Sequence, residues 1–200
     1  MREDASEPFD PLTYENIAGS AVRTVLETEP QALAGIPRFE GAGIYALYYL
    51  GPPEMYAPIA DPGCAVPIYA GSANPPGARI GGDALSPEVR PVLHARLGEH
   101  RRSIDQAGNL EVDQFKCRYL RVRPVWIPVA EEMLIRRFRP VWNSVVDGFG
   151  NHPPGRGRRD MRRPRWDVVH PGRPWAMRLE PQEIIEQIKE HLARWPGKGT

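Results

Sequence analysis

The sequence predicts an α/β (α+β) fold in which helices flank a small, mainly antiparallel sheet of three strands. Aromatic and β-branched residues cluster at 43–49 and again at 66–70, and glycines and prolines bound both runs. Such runs between turn residues are typical of two strands joined by a long hairpin. Residues 115–122, FKCRYLRV, alternate apolar and basic side chains, which predicts a third strand with one solvated face.

Four further segments have the apolar spacing of helices. They are 11–28 after an Asp-Pro start signal, a segment from residue 86 or 87 to about 104, the stretch AEEMLIRRFR after Pro128, and 180–195. In the last segment isoleucines and a leucine fall on one face, so we expect it to pack or to dimerise. Residues 72–87 between the second strand and the second helix are predicted to form a loop.

The length and composition fit one domain over residues 1–200. The chain is 41% hydrophobic, which suffices for a core, but its apolar runs are short, so no membrane span is expected. The start MREDASEPFD lacks the basic and apolar blocks of a signal peptide, and we therefore expect a cytoplasmic protein. Cys64 and Cys117 stand alone without metal-ligand spacing, and we expect two reduced thiols.

Charge is distributed unevenly along the chain. Residues 1–88 carry 4 basic and 12 acidic side chains, whereas residues 89–178 carry 19 and 9. A basic half in a protein of net charge +1 favours a polyanionic partner, because each Lys or Arg on a phosphate releases condensed counterions. The alternative is a solvated surface of ion pairs, and composition alone does not separate the two.

No phosphate-binding P-loop, GxSxG or HExxH motif occurs in the sequence. The remaining candidates are dispersed: GIY at 43–45, YAG at 69–71, an Arg and a His one helical turn apart at 96 and 100, and a Glu twelve residues before an Asn at 131 and 143. Taken singly, each is ordinarily structural, as core tyrosines, a surface helix face or a helix-favouring Glu. Their order and spacing carry the information.

This order resembles that of the GIY-YIG nuclease superfamily over roughly residues 41–144. The most specific part is E-x-x-L-I-x(4)-P-x-x-N, from Glu131 to Asn143. The resemblance implies a nuclease core at 41–146, with Tyr45 and Tyr69 beside the scissile phosphate. It further implies a phosphate-binding Arg96 and a supporting Asn143.

The same resemblance implies one Mg²⁺ per active site, held by Glu131, with Mn²⁺ as a substitute. Mg²⁺ keeps most of its waters, so a lone carboxylate is compatible with such a site. Glu132 is the alternative register, although the spacing to Pro140 and Asn143 favours Glu131. The group that takes the proton from water stays open among Tyr45, His100 and a metal-bound hydroxide.

Two features depart from the family pattern. Ser72 follows the second signature where repair and homing members commonly carry Lys, and the replacement for that cation is open among Arg79, Arg101 and Arg102, unless His100 makes it unnecessary. The spacer before Arg96 is long, so 72–92 is expected to be an inserted DNA-contacting or dimer-forming element.

The region 147–178 is predicted to be a DNA-recognition extension. Between 152 and 178 there are eight Arg and no Lys, and WDVVHPGRPWA resembles the restriction enzymes that cut the palindrome CCGCGG. Arginine pairs with guanine O6 and N7 in the major groove. Trp166 and Trp175 argue against a disordered phosphate-binding tail, the alternative. The expected DNA-binding residues are Arg79, Arg101, Arg102, Arg156, Arg158, Arg159, Arg162, Arg163, Arg165 and Arg173.

The resemblance thus implies a type II restriction endonuclease that hydrolyses double-stranded DNA at a GC-rich palindrome. A palindrome presents two symmetric half-sites, so a homodimer is expected. The setting implied is prokaryotic and nucleoid-associated, with a cognate DNA methyltransferase in the same restriction-modification system. The alternatives are a structure-specific or nicking nuclease, a nuclease subunit of a larger restriction complex, and a catalytically dead DNA-binding module.

Overall fold

An antiparallel sheet of four strands lies at the centre of the protein. The computed structural model describes residues 13–51, 56–75, 89–153 and 161–182, together with 186 and 190. The strands are β1 (Gln31–Ala32), β2 (Gly43–Tyr49), β3 (Tyr69–Ala73) and β4 (Phe115–Arg121), in the order β1-β4-β2-β3. All neighbouring pairs are antiparallel, so β2 lies in the interior of the sheet and β3 forms one edge.

The predicted sheet was right in type and one strand too small. β1 has only two residues, and both are exposed, so neither length nor alternation marks it in the sequence. The strand expected at 66–70 runs instead from Tyr69 to Ala73. Ser72, which was expected in a loop, therefore lies in the edge strand opposite Ile44.

Helices cover both faces of this sheet. The first begins where Thr13 Oγ1 accepts a hydrogen bond from Asn16 N, and the third ends at Arg139, which adopts a left-handed conformation just before Pro140. The helices are α1 (Tyr14–Glu27), α2 (Val92–Asp105), α3 (Ile127–Phe138), α4 (Val141–Ser144) and α5 (Arg165–Val169), with short 3₁₀ turns at Leu33–Gly35, Val112–Gln114, Pro124–Trp126 and Ala176–Arg178.

Strand β2 separates two apolar clusters. Ile44, Ala46 and Tyr48 face α1 and α3, whereas Tyr45, Leu47 and Tyr49 face α2, Trp142, Phe149 and the C-terminal segment, by which we mean residues 161–182. All seven residues of β2 are buried because both faces of the sheet are covered. Cys64 and Cys117 are both free and buried, as expected.

Several predictions made from the sequence fall outside the described residues. They are the greater part of the insertion at 72–92, most of the C-terminal helix at 180–195, and Arg79, Arg156, Arg158 and Arg159. Within the described part of the chain, no helix has the length and apolarity that a membrane span requires.

Candidate active site

Tyr45 reaches the edge of the sheet by passing over a glycine. It is fully buried on β2, and its register partner on β3 is Gly71. A Cβ atom on Gly71 would lie 2.6 Å from the Tyr45 hydroxyl oxygen and 2.9 Å from Cζ, closer than non-bonded carbon atoms approach. The glycine of the YAG signature therefore makes room for the Tyr45 phenol.

The Tyr45 hydroxyl pairs with a buried histidine of α2. Tyr45 Oη lies 2.5 Å from His100 Nε2, and the imidazole stacks on Phe149 with ring centroids 4.5 Å apart. Burial, followed by the charge of Arg96, lowers the pKa of His100 well below its usual value. Burial, followed by the proximity of Tyr69, raises the pKa of Tyr45. Both groups are therefore neutral at pH 7, and the imidazole can accept a proton.

Tyr69, the second signature tyrosine, encloses this pair from β3. Its ring centroid lies 6.1 Å from that of Tyr45 and 5.2 Å from that of His100. Burial raises the pKa of Tyr69, while the positive charge of Arg96 acts against the increase. Two phenols and one imidazole thus lie beside the guanidinium of Arg96 at this point of the sheet edge.

Arg96 lies one helical turn before His100 on α2. Its Nη1 donates to Glu99 Oε2 at 2.7 Å, and its Nη2 donates to the carbonyl oxygen of Gly150 at 3.1 Å. His152 Nε2 is 3.4 Å from the same Nη1. A cleft of about 220 Å³ opens beside this arginine, between α2 and the segment 149–153. The guanidinium is thus held in a fixed orientation next to an open space.

Glu131 approaches the same edge from the other face of the sheet. Ser72 Oγ donates to Glu131 Oε2 at 2.7 Å, and Asn74 Nδ2 donates to Ser72 Oγ at 3.1 Å. The charge of Glu131 also contributes to the raised pKa of Tyr45, so the two side chains share one electrostatic environment. Glu132, in contrast, is exposed and lies 3.8 Å from Arg136. The structure places Glu131, and not its neighbour, at β3.

The oxygen donors at this position suit Mg²⁺. Ser72 engages one oxygen of Glu131, and carboxylate and hydroxyl oxygens are the hard ligands that this ion prefers. Within the described ranges, no group of three or more His, Cys, Asp or Glu could hold a metal. A site built on one carboxylate, with water completing the coordination, is the kind that these residues can form.

Asn143 supports the outer edge of β3. Its Oδ1 accepts from the amide of Ala70, and its Nδ2 donates to the carbonyl of the same residue, both at 2.8 Å. An edge strand otherwise leaves such groups unpaired. Ala70 lies between Tyr69 and Gly71, so this pairing fixes the backbone that carries the second signature.

The arginines expected to bind DNA divide into two kinds. Arg101, Arg102 and Arg162 are exposed. Arg163 donates to the carbonyls of Ala176 and Met177, and Arg165 donates to the carbonyl of Val145. The hydrogen bonds of Arg163 and Arg165 anchor the C-terminal segment, although part of each side chain stays accessible.

Arg173 requires a correction, because it is only 1% exposed. Its Nε and Nη2 donate to both carboxylate oxygens of Asp167, at 2.6 and 2.5 Å. Its remaining hydrogen bonds go to carbonyls of the segment 148–151. A guanidinium with its donors engaged inside the protein is not available for a base or a phosphate. Trp166 and Trp175, which flank it in sequence and in space, were the signal that this arginine is internal.

Three residues that contact the site, Asn74, Glu99 and Gly150, were not singled out from the sequence. Ser72 was noted there only for lacking the positive charge of the family Lys, whereas its hydroxyl binds Glu131. The i,i+3 spacing of Arg96 and Glu99 could have indicated their pairing. Nothing in the sequence indicates Gly150, which is 54 residues from its partner.

A family model described as the Eco29kI GIY-YIG domain matches residues 37–195, which is more than half of the chain. No curated protein matches the chain. The matched region contains every residue of the site described above.

Proposed function

The chain belongs to the Eco29kI GIY-YIG family of restriction endonucleases, and from this premise we propose a specific activity. We propose that it is a Mg²⁺-dependent type II restriction endonuclease, which hydrolyses phosphodiester bonds of double-stranded DNA at a GC-rich palindrome. The observation that carries this proposal is the 2.5 Å contact between Tyr45 and His100, with Arg96 on one side and Glu131 on the other. A Tyr–His pair that can transfer a proton, the Arg96 guanidinium and the Glu131 carboxylate thus lie together at the sheet edge formed by β3.

Proton transfer from the attacking water is assigned to Tyr45 and His100. The neutral imidazole can take the phenol proton while the phenol takes one from water. Burial disfavours charge on both groups, so the transfer needs the electrostatic help of a bound phosphate, whose negative charge favours a protonated His100. A buried pair of this kind is inactive until DNA is in place.

Arg96 and Glu131 would act on the phosphate from two sides. The guanidinium supplies donors for the non-bridging oxygens and opposes the charge that develops there. When bound at Glu131, Mg²⁺ would polarise the phosphodiester and relieve charge on the leaving 3′ oxygen. Ser72 holds the carboxylate for this purpose through Oε2. The products would carry 5′-phosphate and 3′-hydroxyl ends.

The quaternary and sequence requirements follow from having one such site per chain. One site cuts one strand, so a double-strand break at a palindrome calls for a homodimer with two-fold symmetry. Exposed arginines such as Arg162 are candidates for guanine contacts in the extension. A cognate methyltransferase would protect the host DNA by modifying the same palindrome.

The test is digestion of a fully sequenced plasmid with Mg²⁺ or EDTA, followed by sequencing of the product ends. Wild type is expected to give double-strand breaks at one palindrome in Mg²⁺ alone. Glu131→Ala should abolish cleavage while DNA binding persists, because the carboxylate is needed for the metal and not for phosphate contact. Glu132→Ala removes the same charge from an exposed neighbour and should cut normally.

Other outcomes would replace the proposal. Random nicks would indicate a structure-specific or nicking nuclease, and tight binding without cleavage would indicate a binding module or a missing partner subunit. Normal turnover by Glu131→Ala would remove the metal assignment. A monomer mass that does not change with protein concentration or with target DNA would exclude the homodimer.

A further inference from the structure

The segment 148–151 lies between two arginines that have different tasks. Arg173 donates to the carbonyls of Gly148 at 2.9 Å, Phe149 at 2.9 Å and Asn151 at 3.2 Å. The carbonyl that this series omits, that of Gly150, accepts instead from Arg96 at 3.1 Å. Four consecutive carbonyl groups thus face guanidinium donors, and we refer to residues 148–151 as the carbonyl loop.

The Arg173 side of this loop is rigid. The guanidinium pairs with both oxygens of Asp167, is buried, and lies over the rings of Trp166 and Trp175 at 4.7 and 4.9 Å. A two-point pair that is fully desolvated and packed between aromatic rings holds one geometry. The position of the carbonyl loop is therefore determined by the C-terminal segment.

On the other side of Arg96, Glu99 supplies the second acceptor. Its carboxylate binds Nη1 at 2.7 Å, while the Gly150 carbonyl binds Nη2. The Glu99 side chain is 37% exposed and that of Arg96 22%, so neither is locked by packing alone. Two acceptors on different nitrogens define the plane of the guanidinium.

We propose that the carbonyl loop and Glu99 are positioning elements that orient Arg96 toward the substrate phosphate, and that the C-terminal segment maintains this orientation through Arg173. The inference rests on the role of Arg96 in the proposed function. It gives the C-terminal segment a task in catalysis besides any contact with bases. It also explains why an arginine of that segment is internal.

Gly150→Ala tests the loop without removing a charge. The new Cβ would lie 2.6 Å from Arg96 Nη2 and 3.1 Å from the Tyr69 hydroxyl, so the guanidinium must move. Because misplacement of a catalytic group by about 1 Å can cost up to ~100-fold in rate, kcat should fall about 10- to 100-fold. The Kd for target DNA in EDTA should change little, since the charge of Arg96 remains.

Glu99→Ala tests the second acceptor and should change binding and turnover in opposite directions. Removing a carboxylate beside the phosphate site should tighten DNA binding, because one negative charge no longer repels the backbone. The loss of an anchor for Arg96 should lower kcat about tenfold. A residue with a merely structural role would weaken both binding and turnover.

Two substitutions away from Arg96 serve as controls, and an NMR signal of the free protein reports the orientation of Arg96 without DNA. Gly19→Ala, whose Cβ meets no atom within 4 Å, and Glu132→Ala should leave kcat and Kd unchanged. In the free protein, the Nε–Hε NMR signal of Arg96 should shift in Gly150→Ala and in Glu99→Ala, and should stay in place in the controls.

The outcomes separate this inference from the proposed function. If wild type cleaves and both test variants match it with an unshifted Arg96 signal, the inference is wrong and the nuclease assignment stands. If wild type cleaves no DNA, the proposed function is wrong. The NMR signal then still decides whether the loop and Glu99 hold Arg96.

Discussion

Two tyrosine–histidine pairs in this protein have the same atoms in contact and different surroundings. Tyr45 Oη lies 2.5 Å from His100 Nε2, and Tyr56 Oη lies 2.7 Å from His170 Nε2. In both pairs burial raises the pKa of the tyrosine, and burial lowers the pKa of the histidine. The pairs differ in what else each group contacts.

In the Tyr56 pair, the tyrosine hydroxyl and both imidazole nitrogens have hydrogen-bond partners. Trp142 Nε1 donates to Tyr56 Oη at 2.9 Å, so the Tyr56 proton is directed to His170 Nε2. On the far side of the imidazole, His170 Nδ1 lies 3.0 Å from Asn109 Oδ1. Aromatic rings surround the chain of bonds, including Tyr49 and Trp142. This pair joins the C-terminal segment to the core and has one arrangement of protons.

The Tyr45 pair lies among charges instead. Burial raises the pKa of Tyr45, while the charge of Arg96 lowers it and the charge of Glu131 raises it further. A buried Tyr–His pair thus stabilises the fold when its neighbours fix its protons. In the proposed function the Tyr45 pair instead transfers a proton, because its neighbours are charges that a bound phosphate can rebalance.

Replacing each tyrosine by phenylalanine should separate the two pairs most clearly. Tyr45→Phe should lower kcat by about 10²- to 10⁴-fold, the usual contribution of general acid–base catalysis. Tyr56→Phe should leave kcat nearly unchanged and reduce the free energy of unfolding by roughly 2–6 kcal/mol, because two buried groups, Trp142 Nε1 and His170 Nε2, lose their partner at about 1–3 kcal/mol each.

Cleavage rates and urea unfolding of the same two preparations provide the measurement. Tyr45→Phe also leaves one buried nitrogen without its partner, so its stability should fall by about half as much. Equal losses of kcat in the two variants would mean that the Tyr56 pair also takes part in catalysis. The two pairs would then not differ in function.

Stability against pH should show that His170 is held neutral. Burial lowers the pKa of His170 to about 3, whereas an unfolded histidine titrates near 6.5. The unfolded chain therefore takes up a proton below pH 6.5 that the fold refuses until about pH 3. Within this window each such histidine costs up to about 1.4 kcal/mol of stability per pH unit, and His100 acts in the same direction.

The variant His170→Asn isolates one of these contributions. It should be less stable than wild type at pH 8, because the bond from Tyr56 is lost, and the difference in unfolding free energy should narrow as the pH falls from 6.5 toward 4. Urea unfolding at several pH values checks this. A constant difference would show that His170 titrates alike in the folded and unfolded states.

Much of the fold could be predicted from the sequence, because its elements are long enough to show a period. The hydrophobic run of β2 and the amphipathic spacing of α1 placed both elements within three residues, whereas α2, predicted to begin at 86 or 87, begins only at Val92. β1 could not be found, because two exposed residues have no pattern. The shift of β3 toward Ser72 also had no local signal, since pairing with β2 decides it.

The site also has parts that the sequence indicates and parts that it does not. Tyr45, Arg96 and Glu131 follow from a motif, whereas the contacts that orient them come from residues distant in sequence. Gly150 and Arg96 are 54 positions apart, and Ser72 and Glu131 are 59 apart. Arg173 was wrongly assigned to DNA because residue type favours a surface position, whereas its burial with Asp167 reveals the internal role.

The substitution with the smallest expected effect would make the surroundings of the Tyr56 pair more like those of the Tyr45 pair. Asn109→Asp places a carboxylate beside His170 Nδ1. At pH 8 the variant should lose about 1 kcal/mol of stability, because Asn109 Nδ2 no longer donates to the carbonyl of Val169. At pH 4 this loss should shrink slightly, because the carboxylate favours a protonated His170, whose pKa burial lowers to about 3. The gain stays below about 1 kcal/mol, since residue 109 is exposed.

Urea unfolding at both pH values measures the change, with DNA cleavage as the control. Cleavage should be unchanged, because the new charge lies beside the Tyr56 pair. In the described part of the chain, no charged residue of the site contacts that pair. A fall in kcat would mean that the two pairs are electrostatically coupled. In that case surroundings alone do not separate a stabilising Tyr–His pair from a catalytic one, and the C-terminal segment would influence the chemistry through His170 as well as through the carbonyl loop.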